Sequence, residues 1–129
     1  PYFRHEGIRK IIVGLKRGER LHLSPDMDLG PEDSIFVPFM GVNAATVPSL
    51  SRMAKLVGAQ VVPVVTRLTA QGYDIEVGPP WSDFPSDDPM ADTERMNERL
   101  AEIIRLEPAQ YSWVHKRFKT RPEGEPSFY

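Results

Sequence analysis

Apolar residues recur at helical spacing in three stretches of the chain. These stretches are 7–17, 47–57 and 92–106. In each, the apolar side chains fall three or four positions apart, which aligns them on one face of a helix. The sequence predicts that Thr46 caps the second helix at its N-terminus. Gly18 and Gly58 suit the positions just beyond the first and second helices, because glycine readily adopts the left-handed conformation that ends a helix.

Four further segments have the composition of strands. They are 21–23, 35–39, 60–67 and 73–77. The nearly continuous apolar run at 60–67 predicts a buried strand, and the turn at 70–72 predicts that it forms an antiparallel hairpin with 73–77. Because Pro38 has no amide hydrogen to donate, the strand at 35–39 is predicted to be an edge strand or a strand end.

The order of these elements predicts the fold class. Helix, strand, strand, helix, strand, strand and helix follow one another, which indicates an α/β fold with a mixed sheet flanked by helices. The 129 residues suit a single domain, 1–129, with an extended tail at 119–129. Hydrophobic residues make up 40% and charged residues 26%, so we expect a globular domain rather than a disordered chain.

Charge and motifs narrow the function classes. The chain has 16 basic and 18 acidic residues, and this net charge of −2 argues against nucleic acid as a partner. The absence of cysteine excludes disulfides, thiolate catalysis and cysteine-ligated zinc. A Walker loop, a Gly-x-Ser-x-Gly nucleophile elbow and a His-Glu-x-x-His zinc motif are also absent, so no metal site and no cofactor is expected.

Two loops contain candidate binding residues. Asp26 and Asp28 have a spacing that could hold a divalent cation or a sugar hydroxyl, although their Asp- and Pro-rich surroundings favour a solvated turn. The segment 39–46 is rich in small residues and precedes a predicted helix, whose N-terminus would attract anions. It therefore predicts a phosphate-binding loop, with a simple tight connection as the alternative. Its candidate residues are Phe39, Gly41 and Thr46.

Five of the seven residues in 115–121 are lysine, arginine or histidine. Such a cluster can hold phosphates, and arginine offers two parallel N–H donors. Its candidate residues are His115, Arg117, Lys119 and Arg121. The flanking Trp113 and Phe118 favour a lipid-headgroup or nucleic-acid surface, and a solvated basic tail is the alternative. A second basic stretch within 4–20 is predicted to be a solvated helix face.

Several segments, taken in order, resemble the bacterial lipid A late acyltransferases, the lauroyl and myristoyl transferases. The earlier segments are 15–19, 24–31, 34–39 and 58–63. The last, 107–122, reads EPAQYSWVHKRFKTRP and is very similar to the C-terminal signature of that family. The resemblance covers nearly the whole chain, and it identifies the chain as resembling the C-terminal part of such an enzyme.

The resemblance implies an incomplete lysophospholipid-acyltransferase-like fold. It implies transfer of a fatty acyl chain from acyl carrier protein to a hydroxylated acyl chain of a Kdo-bearing lipid A precursor. The implied location is the membrane surface at the cytoplasmic face of the bacterial inner membrane. In this setting Arg117, Lys119 and Arg121 would neutralise the phosphates and carboxylates of the acceptor headgroup. Asp26 and Asp28 would organise the floor of the active site or a sugar hydroxyl.

The catalytic motif of the family is His-x4-Asp/Glu, in which the histidine acts as general base on the acceptor hydroxyl. The residues five positions after His5, His22 and His115 are Lys10, Met27 and Thr120, and none is acidic. No residue of this chain is therefore assigned a catalytic role, and the chain alone is predicted to be inactive. The alternative function is a non-catalytic module of the same fold that binds a membrane surface or an anionic lipid headgroup.

Overall fold

The computed structural model describes residues 7–129, which form three α-helices and two β-hairpins. The helices are α1 (Ile8–Lys16), α2 (Ser49–Val57) and α3 (Pro89–Leu106). The strands are β1 (Ile35–Phe39), β2 (Val42–Thr46), β3 (Val64–Thr69) and β4 (Gly72–Val77). Two 3₁₀ turns follow α3, at Pro108–Gln110 and Trp113–His115. The three predicted helices are confirmed, and Gly18 and Gly58 adopt the left-handed conformation expected beyond a helix end.

The α/β class is confirmed, but within residues 7–129 the predicted mixed sheet is wrong. β1 pairs only with β2 and β3 only with β4, in two separate antiparallel sheets. Each strand thus pairs with its neighbour along the chain. The predicted strand at 21–23 is also wrong, because this segment pairs with no strand among the described residues and instead lines a cleft.

The segment 39–46 is a hairpin rather than a loop that leads into a helix. Met40 and Gly41 both have positive φ, 52° and 85°, as the two central residues of a tight hairpin turn require. Thr46 is therefore the last residue of β2, and the predicted helix cap is wrong. The residue that precedes α2 is Pro48, which provides no side-chain hydrogen bond.

The core forms where α3 crosses β1. Its largest cluster joins Phe39, Ala44, Ala101, Ile104 and Phe118. A second cluster joins α3 to α2 and to the connection after β4, through Ala54, Phe84 and Met96. α3 begins at Pro89 because Asp88 accepts hydrogen bonds from the amides of Met90 and Ala91.

The β3–β4 hairpin carries its apolar residues on the outside. Three cross-strand pairs, Val64–Val77, Thr66–Ile75 and Leu68–Tyr73, share one face, and Ile75 is 66% exposed. On the opposite face, Arg67 forms ion pairs with Glu76 and Glu107. The hairpin prediction is confirmed, but the buried strand is wrong, since β3 alternates between exposed and half-buried residues.

Candidate functional site

The structure places Arg117 inside the protein. Its side chain is 0% exposed, and it donates to the Ala45 carbonyl at 2.7 Å and to the Thr46 hydroxyl at 2.6 Å. The guanidinium also lies 5.0 Å from the centre of the Phe39 ring, a distance at which a cation is attracted to the aromatic face. Arg117 therefore ties the segment after α3 to the β1–β2 hairpin and does not reach solvent.

Among residues 7–129, no carboxylate bonds directly to the guanidinium of Arg117, and Asn97 is its third polar neighbour, at 3.4 Å. Burial lowers the pKa of Arg117, while Tyr111, Asp26 and Asp28 oppose this shift electrostatically. Arginine nevertheless stays protonated in proteins. The site is thus organised around a buried cation, and its balancing carboxylates, Asp26 and Asp28, lie in the loop 24–33, here called the acidic loop.

Asp28 fastens the acidic loop to the basic cluster. Its carboxylate accepts hydrogen bonds from the Thr120 amide at 2.9 Å and the Thr120 hydroxyl at 2.8 Å. It also accepts from the Gly30 amide at 3.0 Å. Because Asp28 is almost fully buried, these bonds replace the water that a carboxylate would otherwise hold. The interpretation of Asp28 as part of a solvated turn is wrong.

Asp26 connects the same loop to the 3₁₀ turns. Its carboxylate accepts a hydrogen bond from the Tyr111 hydroxyl at 2.6 Å. Burial, followed by this hydrogen bond, raises the pKa of Tyr111 well above its ordinary value, so the phenol stays protonated. Residues 24–30 and 111–120, which are far apart along the chain, are therefore joined by both aspartates of the Asp-x-Asp pair.

His115 continues this chain of polar contacts. Its Nδ1 lies 2.5 Å from the Ser112 carbonyl oxygen, so this nitrogen carries a proton. Its Nε2 lies 3.1 Å from the Tyr111 hydroxyl. Asp26, Tyr111 and His115 thus form one continuous line of polar contacts.

Lys116, Lys119 and Arg121 form the outer part of the basic cluster, here called the basic surface. Lys116 and Lys119 are exposed, and Arg121 donates to the Asn43 carbonyl at 2.6 Å. Arg121 therefore lies next to the turn of the β1–β2 hairpin, where Gly41 is exposed. The predicted candidates Arg121 and Gly41 lie in the same region, whereas Phe39 and Thr46 lie in the core below it.

A wide apolar cleft lies on the other side of the 3₁₀ turns, with a volume of about 1090 Å³. Its walls come from α2, α3 and the chain on both sides of β3, and they include Leu50, Met53, Val61, Trp81 and Ile103. His22 lines it together with Leu21 and Leu23. Sequence reasoning missed this cleft, because its walls come from segments that no local pattern connects.

Ser51 and Asp92 form a second buried polar cluster that the sequence did not indicate. The Ser51 hydroxyl donates to the Asp92 carboxylate at 2.5 Å, and the Ser86 amide donates to it at 2.9 and 3.0 Å. Arg95 completes the cluster as an ion pair with Asp92. The spacing between Ser51 and Asp92, 41 residues, gives no sequence signal. The cluster joins helices and has no histidine among these partners.

Among residues 7–129, no group of three or more histidine, cysteine or acidic side chains could hold a metal ion. Over the same residues, no helix has both the length and the apolar character needed to cross a bilayer. The basic residues of α1 are exposed, in agreement with a solvated helix face. His5 and Arg4 lie outside the described residues.

Comparison with known proteins connects this arrangement to one family. A profile of the bacterial lipid A biosynthesis acyltransferases matches residues 3–120. The chain is 41% identical to a lipid A biosynthesis lauroyltransferase of Escherichia coli, over 95% of this chain and 41% of the relative. It is 37% identical to a lipid A biosynthesis acyltransferase of Haemophilus influenzae, over 95% of this chain and 38% of the relative.

The chain is also 36% identical to a lipid A biosynthesis myristoyltransferase of E. coli, over 95% of this chain and 38% of that relative. The chain thus spans about two fifths of the length of these relatives. The matched region contains the whole Asp28–Thr120 connection and the buried Arg117. The chain belongs to the bacterial lipid A biosynthesis acyltransferase family.

Proposed function

We propose that this chain is the acceptor-holding part of a lipid A acyltransferase. The reaction is the transfer of a fatty acyl chain from acyl carrier protein to a hydroxylated acyl chain of a Kdo-bearing lipid A precursor. The family match over residues 3–120 is the observation that carries this proposal. The site of action is the cytoplasmic face of the bacterial inner membrane, where such an acceptor lies.

In this proposal the basic surface meets the anionic headgroup. Lys119 is exposed, so it can approach phosphate oxygens directly. Arg121 lies at the rim of the β1–β2 turn and can make paired hydrogen bonds with a phosphate once its guanidinium is uncovered. Arg117 acts from below as a positioning residue, because its buried guanidinium holds β2 and the basic segment together. Arg117 does not contact the headgroup in this proposal, because its side chain is fully buried.

The two aspartates have a positioning role in the same proposal. Asp28 holds Thr120, which lies between Lys119 and Arg121, and so fixes the direction of the basic surface. Asp26 holds Tyr111, and through it His115. Rigid support of this kind matters because binding groups held in place lose less conformational entropy when a ligand arrives.

The chemical step requires groups beyond these residues. The acceptor hydroxyl attacks the thioester carbonyl carbon, the new ester C–O bond forms, and the C–S bond breaks. The hydroxyl proton passes to a general base, the carrier leaves as a thiolate, and the protonated base returns the proton to it to give the free thiol. In the family that base belongs to a His-x4-Asp/Glu motif, and no histidine of this chain has an acidic residue five positions later. We therefore expect the 129 residues alone to bind acceptor without transferring acyl groups.

A chimera tests the proposal. The 125 matching residues of the E. coli lauroyltransferase are replaced by this chain, and acyl transfer to the lipid A precursor is measured. The chimera should be active, and Lys119→Glu or Arg121→Glu should raise the KM for the acceptor about tenfold or more. Arg105→Glu is the matched control, because it reverses one exposed charge at the end of α3, away from the basic surface.

Equal effects of all three charge reversals would overturn the headgroup role. A folded chimera without any acyl transfer would overturn the enzyme proposal. If such an inactive chimera still bound the lipid A precursor through Lys119 and Arg121, the non-catalytic headgroup-binding module would be the better description.

A further inference from the structure

The last eight residues, 122–129, fold back over the basic surface. The Glu125 amide donates to the Pro122 carbonyl at 3.1 Å, which closes a turn. This turn brings the Glu125 carboxylate onto the guanidinium of Arg121, with which it forms a hydrogen-bonded ion pair. Arg121 keeps only 11% of its side-chain surface exposed as a result of its contacts. An acidic side chain of the same molecule thus lies on a cation proposed to meet the headgroup.

Two aromatic rings accompany the carboxylate. Phe128 stacks on Phe118, with ring centres 4.9 Å apart and planes 28° apart. The Arg121 guanidinium lies 5.2 Å from the centre of the Phe128 ring, and the Lys116 ammonium lies 5.6 Å from the centre of the Tyr129 ring. The segment therefore presents to the basic surface one anionic group and an adjoining apolar group.

An anionic group joined to an apolar group is also what a phosphorylated lipid presents. We propose that residues 122–129 are a strap that occupies the anionic-lipid site in cis and must leave Arg121 before a lipid phosphate can bind there. This inference rests on the proposed function, because it assigns regulation to the same basic surface. The strap suits an exchangeable role, since ion pairs at the surface contribute little to stability, the Glu125 side chain is 39% exposed and both strap rings are about half exposed.

Vesicle binding by the 129-residue chain tests the strap. The probe is a vesicle of equal parts phosphatidylcholine and phosphatidylglycerol, with inorganic phosphate as a competitor that lacks the apolar part. Glu125→Gln removes the ion pair and should tighten the apparent Kd for vesicles about threefold. Glu123→Gln is the matched control, because it removes the same charge from an exposed position two residues earlier.

A second variant keeps the charge unchanged. Phe128→Ala removes the stacking on Phe118 and should also tighten vesicle binding, while Arg121→Gln combined with Glu125→Gln should cancel the gain. Competition by inorganic phosphate at the same strength as by a soluble short-chain phosphatidylglycerol would assign the site to free phosphate instead of a lipid, and would overturn the strap's apolar role.

The remaining outcomes separate the two proposals. Equal tightening by Glu123→Gln and Glu125→Gln would reduce the effect to net charge and overturn the strap. No tightening by Glu125→Gln or Phe128→Ala, together with weaker binding by Arg121→Gln, would overturn the strap and leave the headgroup role standing. Vesicle binding that depends on neither Lys119 nor Arg121 would overturn the headgroup role. It would also overturn the proposed strap, which rests on that role.

Discussion

Arg117 was identified from the sequence as a functional candidate, but its predicted role was wrong. Its position among lysines and arginines predicted contact with an anionic headgroup, yet its side chain is completely buried. The basic residues of a short irregular segment point in different directions, and only tertiary packing decides which one turns inward. At the residue scale, the sequence identified the cluster but could not separate its internal member from its external ones.

Arg117→Ala should lower the free energy of unfolding by about 3 kcal/mol. The reason is that the substitution leaves the buried Ala45 carbonyl without its side-chain donor and removes the shorter of the two hydrogen bonds that the Thr46 hydroxyl accepts. Lys119→Ala, at an exposed position of the same segment, should change it by less than about 0.5 kcal/mol. Urea unfolding of both variants checks the difference. Equal destabilisation would mean that Arg117 does not hold the hairpin.

At the scale of elements, the spacing of apolar residues identified the helices but not all of the strands. All three helices were found, because each has an apolar stripe of its own. β2 was missed, since its Asn43, Ala44 and Ala45 are neither bulky nor β-branched, and it becomes a strand only by pairing with β1. Gly41 could have suggested a hairpin turn with positive φ values. The same residues, however, are equally compatible with a turn that precedes a helix.

The contact between α2 and α3 can be tested through one buried carboxylate. Asp92 lies fully buried at the start of α3 and accepts from Ser51 of α2. Burial alone would raise the pKa of Asp92, but hydrogen bonds from Ser51 and Ser86 and the Arg95 ion pair outweigh burial, so the pKa is lowered. A lowered pKa in the folded state means that the ionised carboxylate stabilises the fold.

Asp92→Asn should lower the free energy of unfolding at pH 7 by about 2 kcal/mol. The advantage of the wild type is fully present above about pH 4, the usual pKa of an unfolded aspartate, and disappears as the pH falls through the lower folded value. Thermal unfolding from pH 7 to pH 2 measures this convergence. Asp87→Asn, at a fully exposed carboxylate, should change stability little at any pH. A constant gap between Asp92→Asn and wild type would contradict the linkage.

At the scale of the whole molecule, two apolar surfaces are open on residues 7–129. One is the outer face of the β3–β4 hairpin, and the other is the cleft of about 1090 Å³, which Val64 and Val77 of that same face also line. The sequence showed that apolar and polar residues alternate along 73–77. It did not show which face of the hairpin packs against the molecule, because that is decided by the ion pair between Arg67 and Glu107 on the polar face. The apolar surfaces are continuous, and exposed surfaces of this kind promote association.

We therefore expect the 129-residue chain to self-associate reversibly at micromolar concentration through the β3–β4 face. Ile75→Lys places a charge in the middle of this face and should shift the chain towards monomer, with a change in unfolding free energy below about 0.5 kcal/mol because Ile75 is exposed. Val114→Lys is the matched control, since Val114 is 88% exposed and lies outside the hairpin. Sedimentation velocity of the three proteins measures the association. If Val114→Lys dissociates the chain to the same extent as Ile75→Lys, the added charge alone is responsible. An effect confined to Ile75→Lys identifies the β3–β4 face as the surface through which this part of the acyltransferase family packs.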